Sequence, residues 1–377
     1  MRLAIAQSNL TLMGGAELVL LRIAQHYNPV IYTAEYDRKG TFPEFREFDI
    51  RLVSRGHISA LLPYSRASQG IDYGLSFYNY RIREDYDVIN AHLAPSHWIR
   101  NNNDRLLWYC HTPLRDIYDL YEYRMSMRKP YQRPLYRVGA HFVRGMDREV
   151  VSRIESIFAN SSNTRSRILK YYNRDAAVLN GGVDFENYTD DGDGKYFLYP
   201  SRFSPNKRQE YALEAFRMFK KKVKGYSLVL CGGLSRDAFY YSYYKKIVDM
   251  ATKVGSVRML PNVSEGRLLR LYSRATAVLY SPVNEDYGLV PLQAMASRKP
   301  VISVNEGGPR EVIKNGINGF LVDSPGGMAK RMLEVAGDAA VSGAMGRRGL
   351  ETVRKKYSWR AFFRVFDKEV RRLARAG

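Results

Sequence analysis

The chain has 377 residues, of which 45% are hydrophobic and 13% aromatic, and its 59 lysines and arginines against 38 acidic residues give a formal net charge of +21. This length predicts two domains of roughly 150 to 200 residues, and the apolar content excludes a disordered or low-complexity protein. The apolar runs are far shorter than the roughly 20 residues of a membrane-spanning helix, and the N-terminal sequence lacks the apolar core of a secretory signal, so we expect a cytoplasmic protein.

Short β-like runs alternate with helical patterns along the whole chain. We predict strands at residues 2–7, 29–34, 49–54, 87–92 and 105–110, and then at 195–200, 226–233, 256–261, 276–281, 299–304 and 318–322. Strands separated by helices form parallel sheets covered on both faces, so the pattern predicts an α/β protein with two Rossmann-like sheets. Cys110 and Cys231 lie within these runs without metal-ligand spacing, which indicates free, buried thiols in a reducing compartment.

A polar passage rich in glycine and aspartate, between about residues 160 and 195, is typical of a join between domains. We therefore predict one Rossmann-like domain over residues 1–175 and a second over 190–356. Residues 357–377 show apolar positions at helical spacing and predict a final helix that packs back on the first domain. Ligands of doubly wound sheets bind beyond the carboxyl ends of the strands, so we expect the active site in a cleft between the domains.

Two segments carry much of the positive charge. Residues 123–148 contain seven lysines and arginines against one acid, with tyrosines and Phe142 between them, and residues 354–377 contain nine basic residues against two acids. Net charge alone does not choose between nucleic acid, phosphate-bearing substrates and an anionic membrane surface. Basic and aromatic residues mixed in this way suit lipid headgroups, and an ordinary solvated helix face explains them equally well.

Gly14 and Gly15 follow the first predicted strand and open an amphipathic helix. Because they have no Cβ, they let the backbone approach a phosphate or a sugar, with the amides of the first helical turn beyond them. Any tight turn between strand and helix can use glycines, so a purely structural role is the alternative.

Two histidines end predicted strands of the first domain. His111 follows the fifth strand and precedes a Thr-Pro turn, and His92 ends the fourth strand. A histidine at the carboxyl edge of the sheet would face the expected cleft, where His111 could donate a hydrogen bond to a sugar hydroxyl or a developing charge. His92 competes for this role as the weaker candidate, and His111 could instead cap the turn.

The second domain offers cations and a carboxylate after its own strands. Arg202 and Lys207 lie between its first strand and helix, where two cations could clamp a diphosphate. Glu285 precedes Gly288 and a helical run that contains Gln293. Eight helical positions span about 12 Å, beyond the separation of carboxylate pairs in glycoside hydrolases, so positions 285 and 293 must have different roles.

Taken together, these motifs resemble those of glycosyltransferase family 4, and the resemblance covers almost the whole chain. The motifs are GGAE at 14–17, CHTPLRDIYD at 110–119, ANSSNTRSRI at 159–168, SRFSPNKR at 201–208, NEDYGLVPLQAMA at 284–296 and GGPREVIKNGINGFLV at 307–322. The resemblance implies the GT-B fold, two Rossmann-like domains whose parallel sheets face each other across a cleft. It also implies that the N-terminal domain is on the acceptor side and that the C-terminal domain binds the nucleotide sugar.

The resemblance further implies roles for the matching residues. Arg202 and Lys207 would neutralise the donor pyrophosphate, while Glu285 and His111 would contact the transferred hexose, and these four form the expected catalytic set. The backbone of residues 260–264 would read the base. The expected donor-binding set is Gly14, Gly15, Arg202, Lys207, Val263, Glu285, Tyr287, Gly288, Leu289, Val290 and Gln293.

Gln293 departs from the family pattern, in which a second glutamate holds the ribose hydroxyls. Its amide can still accept from one hydroxyl and donate to another. Hydrogen bonds to a charged acceptor contribute about 1.5–3 kcal/mol and neutral ones about 0.5–1.5 kcal/mol, so the change should weaken donor binding by roughly 1 kcal/mol. The hypothesis is an active enzyme with a loosened or altered ribose contact.

The resemblance thus implies a retaining hexosyltransferase that uses a nucleoside-diphosphate sugar and needs neither metal nor other cofactor. The segment at 110–119 resembles mannosyltransferases that use GDP-mannose, with UDP-sugars as the second possibility. The acceptor would be a lipid-linked or polysaccharide glycan, with the protein peripheral on the inner face of a membrane. A nucleic-acid-binding or catalytically silent relative is the alternative, although the basic runs lack any RNA-binding module signature.

Overall fold

The computed structural model describes residues 1–53, 66–126, 128–235 and 237–376, and the side chains of all of these except 66–69. Three sequence predictions reach beyond this range. Residue 54 of the third predicted strand, residue 127 of the first basic segment and residue 377 of the final helix lie outside the described residues.

The chain divides into two compact units, which are Met1–Asn180 with Phe363–Gly377, and Gly181–Phe362. In the first unit the strands are β1 Leu3–Gln7, β2 Val30–Thr33, β3 Ile50–Leu52, β4 Val88–Ala91, β5 Leu106–Cys110, β6 Ser156–Ala159 and β7 Ala177–Val178. Its helices are α1 Gly15–Tyr27, α2 Arg66–Asn79, α3 Tyr121–Ser126, α4 Arg133–Ser152 and α5 Ser162–Tyr172. These strands form one sheet in the order β3-β2-β1-β4-β5-β6-β7, and every pairing is parallel.

In the second unit the strands are β8 Tyr196–Pro200, β9 Ser227–Gly232, β10 Val257–Pro261, β11 Ala277–Tyr280, β12 Val301–Val304 and β13 Phe320–Val322. Its helices are α6 Gln209–Lys220, α7 Ala238–Val254, α8 Glu265–Ser273, α9 Leu289–Ala296, α10 Pro309–Val312, α11 Pro325–Gly337 and α12 Ala339–Lys356. The sheet order is β10-β9-β8-β11-β12-β13, again parallel throughout.

Most of the strands are buried, which explains why their apolar runs stand out in the sequence. Every residue of β1, β5 and β8 is buried, as expected for parallel strands covered by helices on both faces. The fold class is confirmed, and each predicted strand is present. The prediction omitted β6 and β7, and β7 has only two residues, too few to give an apolar run.

The last helix, α13 (Trp359–Arg375), contains the point at which the two units divide, since its residues from Phe363 onward belong to the first unit. Within that unit, Phe366 and Val370 are fully buried, and the Asp367 carboxylate accepts a hydrogen bond of 2.6 Å from Tyr27 of α1. The apolar face of α13 is therefore covered.

Both cysteines are free and buried, as predicted, and burial raises the pKa of the Cys231 thiol to about 12. Among the described helices, none is both long enough and apolar enough to cross a bilayer.

Candidate active site

The order of the strands places several of the expected site residues beside two switch points. In parallel sheets the loops that follow the strands gather at one edge, and a crevice opens where the strand order reverses. The order reverses between β1 and β4 in the first sheet and between β8 and β11 in the second. The loop after β1 ends at Gly14, and the loop after β4 contains His92. In the second sheet, Lys207 lies in the loop after β8 and Glu285 in the loop after β11.

The loop after β8 presents Arg202 to solvent. Its backbone is fixed on both sides, because Phe203 donates its amide to the Gly233 carbonyl at 3.0 Å and Gln209 donates its side-chain amide to the Arg202 carbonyl at 2.8 Å. Gly232 allows this close approach, since a Cβ there would lie 2.2 Å from the Ser201 carbonyl oxygen. Within the described residues the Arg202 guanidinium forms no ion pair, which leaves it available to an anion.

Lys207 and Glu285 lie 78 residues apart in sequence and form an ion pair of 2.5 Å between Nζ and Oε2. Their side chains are only 12% and 20% exposed, so the pair is largely removed from water. Tyr280, at the end of β11, also hydrogen-bonds to Glu285, and burial followed by the charge of Glu285 raises the Tyr280 pKa well above its usual range. Lys207, which the resemblance assigns to the pyrophosphate, and Glu285, which it assigns to the hexose, therefore form one ion pair.

Two glycines after β12 shape the loop that carries Glu285. Gly307 has φ of +60°, and a Cβ there would lie 2.3 Å from the Glu285 carbonyl oxygen. Gly308 donates its amide to that same carbonyl at 2.8 Å, and a Cβ on it would lie 2.4 Å from the Tyr287 carbonyl oxygen. Side chains at either position would displace the loop. The motif at 307–322 is evident in the sequence, whereas this contact depends on the folded chain.

Helix α9 begins directly after Gly288, its N-cap residue, which has φ of +92°, and no side chain caps the helix in the described structure. Its third residue is Pro291, which lacks an N–H group, so the amides of Leu289 and Val290 are the donors that its first turn can offer to an anion. Tyr287 has a different role, because its buried hydroxyl donates a 2.6 Å hydrogen bond to the Gly181 carbonyl and supports the loop.

Gln293 of α9 is held by two tyrosines. Its side-chain oxygen accepts a 2.9 Å hydrogen bond from the hydroxyl of Tyr272, and its side chain also hydrogen-bonds to Tyr188. Tyr272 is fully buried and Tyr188 partly so, and burial raises the pKa of both phenols. These bonds fix the orientation of the amide, a constraint that the sequence did not reveal.

The loop predicted to read the base follows β10. Asn262 donates its amide to the Gly232 carbonyl and accepts from the Leu234 amide through its side chain, both at 2.9 Å. Val263 is half-buried against the apolar cluster of this unit. The loop is thus tied to the end of the neighbouring strand β9.

In the first unit, His92 and His111 contact each other. His92 Nδ1 lies 3.1 Å from His111 Nε2, and both side chains are buried. Burial lowers the pKa of His111 to about 3, and burial followed by the neighbouring His111 lowers that of His92 well below its usual range. Both imidazoles are therefore neutral at physiological pH, and the two residues treated as competitors form a pair.

Gly14 is the N-cap residue of α1, with extended backbone rather than a left-handed conformation. Its α-hydrogen faces Glu17, whose Oε2 atom would lie 2.6 Å from a Cβ on Gly14. Gly15 is exposed at the first position of the helix. The roles assigned to both glycines, and to the other site residues, stay predictions.

Comparisons with known proteins agree with this architecture. A family model described as Glycosyltransferase Family 4 matches residues 13–187, and one described as Glycosyl transferases group 1 matches residues 183–349. The human alpha-1,3/1,6-mannosyltransferase ALG2 is 26% identical over an alignment that covers 93% of this chain and 91% of ALG2.

Two solved structures share the fold. HepE from Anabaena, solved with UDP and glucose, superposes with a TM-score of 0.74 at 16% identity, covering 98% of this chain and 99% of HepE. Sucrose-phosphate synthase from Thermosynechococcus elongatus superposes with a TM-score of 0.76 at 16% identity and covers both chains completely. The two family models together account for most of the sequence, and the chain belongs to glycosyltransferase family 4, as a glycosyltransferase of the GT-B fold.

Proposed function

We propose that the protein is a retaining mannosyltransferase that moves mannose from GDP-mannose to a hydroxyl of a glycan acceptor. The observation that carries the proposal is the Lys207–Glu285 ion pair beside the uncapped start of α9. It places a positive charge, a carboxylate and free amides in one loop cluster at the switch point of the second sheet.

The chemistry follows from how charge moves in the reaction. As the glycosidic bond to the donor breaks, negative charge develops on the diphosphate, and preorganised cations and amides stabilise that charge more than they stabilise the ground state. Lys207 has two further N–H hydrogens beside the one directed at Glu285, and Arg202 is exposed nearby in sequence. These groups would hold the leaving diphosphate without a metal ion, and a phosphate oxygen would take the acceptor proton on the same face of the sugar.

The choice of mannose rests on the relative ALG2, which is named as a mannosyltransferase, together with the segment at 110–119. A thermal-shift screen against GDP-, UDP- and ADP-sugars tests it, because a donor that binds only the native state raises the melting temperature. We expect GDP-mannose to give the largest shift. A larger shift with a UDP-sugar would change the proposed donor. Oligonucleotides form a separate arm of the screen, and a shift with them but with no nucleotide sugar would favour a nucleic-acid-binding protein.

A transfer assay with GDP-mannose and simple mannosides then tests the reaction itself, with chelator added to one arm. We expect transfer with retention of configuration and the same rate in both arms. Donor binding without transfer to any glycan or lipid-linked acceptor would point to a catalytically silent relative. Loss of transfer with chelator, restored by a divalent cation, would contradict the metal-independent mechanism.

For the acceptor, we propose a lipid-linked glycan reached from an anionic membrane surface, and the exposed face of α4 supports this. Leu135, Val138 and Phe142 are 77%, 54% and 67% exposed and lie at helical spacing on one stripe. Arg133 and Arg137 flank the stripe and are exposed too. Apolar side chains that enter the headgroup layer, with arginines beside them, match a surface of anionic lipid.

The opposite face of α4 is anchored by a buried carboxylate. Asp147 is fully buried and accepts hydrogen bonds from His97, Trp98 and Tyr118 at 2.8, 2.7 and 2.9 Å. Because a buried charge is stable only when such partners surround it, these bonds hold the helix in place with its apolar stripe outward.

Flotation with vesicles tests the membrane surface. We expect the protein to float with anionic phosphatidylserine vesicles at low salt and not with neutral phosphatidylcholine, and Leu135→Asp with Phe142→Asp should abolish flotation. Leu52→Asp with Val365→Asp is the matched control, since it makes the same charge change at exposed apolar positions elsewhere. If the α4 variant floated as well as the control variant, α4 would not be the membrane surface. Equal binding to neutral vesicles would contradict the preference for anionic lipid.

A further inference from the structure

We propose that Asn90 and His92 are positioning residues that fix the tautomer of His111, so that His111 Nδ1 accepts a hydrogen bond from a hydroxyl of the bound sugar. The geometry behind this is a chain of hydrogen bonds that starts at a backbone carbonyl and ends at His111. The kinetic part of the inference rests on the proposed function, whereas the tautomer itself does not.

The chain begins at the Leu107 carbonyl of β5, which can only accept. Asn90 of β4 donates its side-chain amide to this carbonyl at 3.0 Å, which settles which end of the amide is nitrogen. The remaining amide oxygen of Asn90 is an acceptor and lies 2.8 Å from His92 Nε2. That nitrogen of His92 must therefore carry the hydrogen.

A neutral imidazole has one N–H and one bare nitrogen. Since His92 carries its hydrogen on Nε2, its Nδ1 is bare and accepts across 3.1 Å from His111 Nε2. His111 must then carry its own hydrogen on Nε2, which leaves Nδ1 as an acceptor. Every step has one solution as long as both rings stay neutral, which their burial ensures.

The positions of both rings are fixed by the backbone around them. His92 donates its amide to the Ala6 carbonyl at 3.0 Å, and its own carbonyl accepts from Trp108 Nε1 at 3.2 Å. The His111 carbonyl accepts from the Asn160 side chain at 3.0 Å. His111 Nδ1 has no hydrogen-bond partner among the described residues, and it is not sealed from solvent, so a ligand hydroxyl can reach it.

The titratable side chains in ring contact with the pair do not disturb this assignment. Tyr109 contacts both rings, with centroids 5.6 Å from His92 and 5.0 Å from His111. Its hydroxyl donates to the Leu179 carbonyl at 2.8 Å, and burial raises its pKa, so it stays neutral. The sequence suggested that His111 donates to the sugar, and the hydrogen-bond chain indicates that it accepts instead.

The direct test is the tautomer of His111 in the unmutated protein. Long-range proton–nitrogen spectra of protein labelled at the ring nitrogens of histidine distinguish an N–H from a bare nitrogen, and the His111→Gln variant assigns the resonances. We expect a proton on Nε2 and a bare Nδ1 at all pH values from about 5 to 8, since a free histidine would titrate in this range. A proton on Nδ1, or an imidazolium in this range, would overturn the proposal.

A pair of variants tests the positioning role. In His92→Gln the amide keeps one donor and one acceptor, whereas His92→Leu leaves His111 Nε2 without its acceptor and frees its tautomer. We expect His92→Leu to lower kcat/KM for transfer by about tenfold, the effect of one lost hydrogen bond, and His92→Gln to restore most of it. Equal losses in both variants would overturn the role. If no sugar is transferred at all, the proposed function fails while the spectra still decide the tautomer.

Discussion

At the scale of single residues, the structure turns separate candidates into pairs. Lys207 and Glu285 were assigned to different parts of the donor, yet they form one ion pair. A charge that is largely buried must be matched by another, so neither residue can be altered without affecting its partner. Their roles are therefore best tested by comparing activity with stability.

Lys207→Ala should reduce kcat by about 10²- to 10³-fold, because it removes a preorganised cation from the charge that develops on the diphosphate. It should also lower the melting temperature, because it leaves the largely buried Glu285 unpaired. Lys299→Ala is the matched control, since Lys299 also forms a 2.5 Å ion pair in the second unit, with Asp190, and is 6% exposed. The control should lower the melting temperature and leave kcat nearly unchanged. If Lys299→Ala lost as much kcat as Lys207→Ala, Lys207 would be a structural lysine.

Gln293→Glu should tighten donor binding by about 1 kcal/mol, because a carboxylate is a stronger acceptor for the ribose hydroxyls than an amide. Tyr272 can still donate to the new side chain, so the local hydrogen bond survives. Calorimetric titration with the nucleoside diphosphate measures the change. The gain should disappear with the 2′,3′-dideoxynucleotide, and a gain that persists there would separate position 293 from the ribose.

At the scale of elements, glycines decide where loops can lie. Gly307 and Gly316 both have positive φ, +60° and +75°. Of the two, only Gly307 has the backbone of another loop at the place where a Cβ would lie. The backbone of Glu285 lies against Gly307, while a Cβ on Gly316 would meet open space. This difference allows the cost of the backbone conformation to be separated from the displacement of the site.

Gly316→Ala should lose roughly 1–2 kcal/mol of stability, the cost of a left-handed conformation for a residue with a Cβ. Gly307→Ala should lose at least as much, because its Cβ also overlaps the backbone of Glu285. Only Gly307→Ala should also lower kcat/KM, because it forces Glu285 away from its position. Thermal melts and steady-state kinetics on the two variants measure this. If Gly316→Ala lost as much activity, the effect would come from general destabilisation rather than from the loop.

Two amphipathic helices show what periodicity leaves undecided. In α13 the apolar stripe includes Phe366 and Val370, both fully buried, so its basic residues form a solvated face. In α4 the stripe of Leu135, Val138 and Phe142 is exposed. The spacing is helical in both, and only the packing of the chain shows which face already has a partner.

At the scale of the whole molecule, the buried neutral histidines link folding to pH. His111 has a pKa of about 3 in the native state, against about 6.5 for histidine in an unfolded chain. Between these values the unfolded chain binds a proton that the native state does not, so the stability that neutrality contributes is lost as the pH falls below about 6.5. His92 shifts in the same direction.

The free energy of unfolding of the first unit should therefore fall on acidification below about pH 6.5, by up to about 1.4 kcal/mol per pH unit for each of these histidines. Urea unfolding of a Trp359→Phe variant measures it, since the remaining tryptophans, Trp98 and Trp108, both lie in the first unit. His111→Gln should show a shallower dependence. An unchanged slope would mean that His111 titrates normally in the native state.

Local sequence pattern is enough to predict the fold class and most strands, because strands buried on both faces need continuous apolar runs that stand out between helices. Its motifs also placed Arg202, Lys207, Glu285 and His111 after the ends of strands. These predictions depend on local pattern, which neighbouring residues carry. Short edge strands such as β7 carry too little pattern to be found.

Which of these residues touch each other is a property of the folded chain. The Lys207–Glu285 pair, the Gly307 contact and the chain from Leu107 to His111 join residues that lie far apart in sequence or on adjacent strands. The physical reason is that hydrogen-bond direction, ion pairing and helix coverage depend on distances of a few ångströms between different elements. No local pattern encodes such distances, so the contacts between these residues cannot be predicted from the sequence.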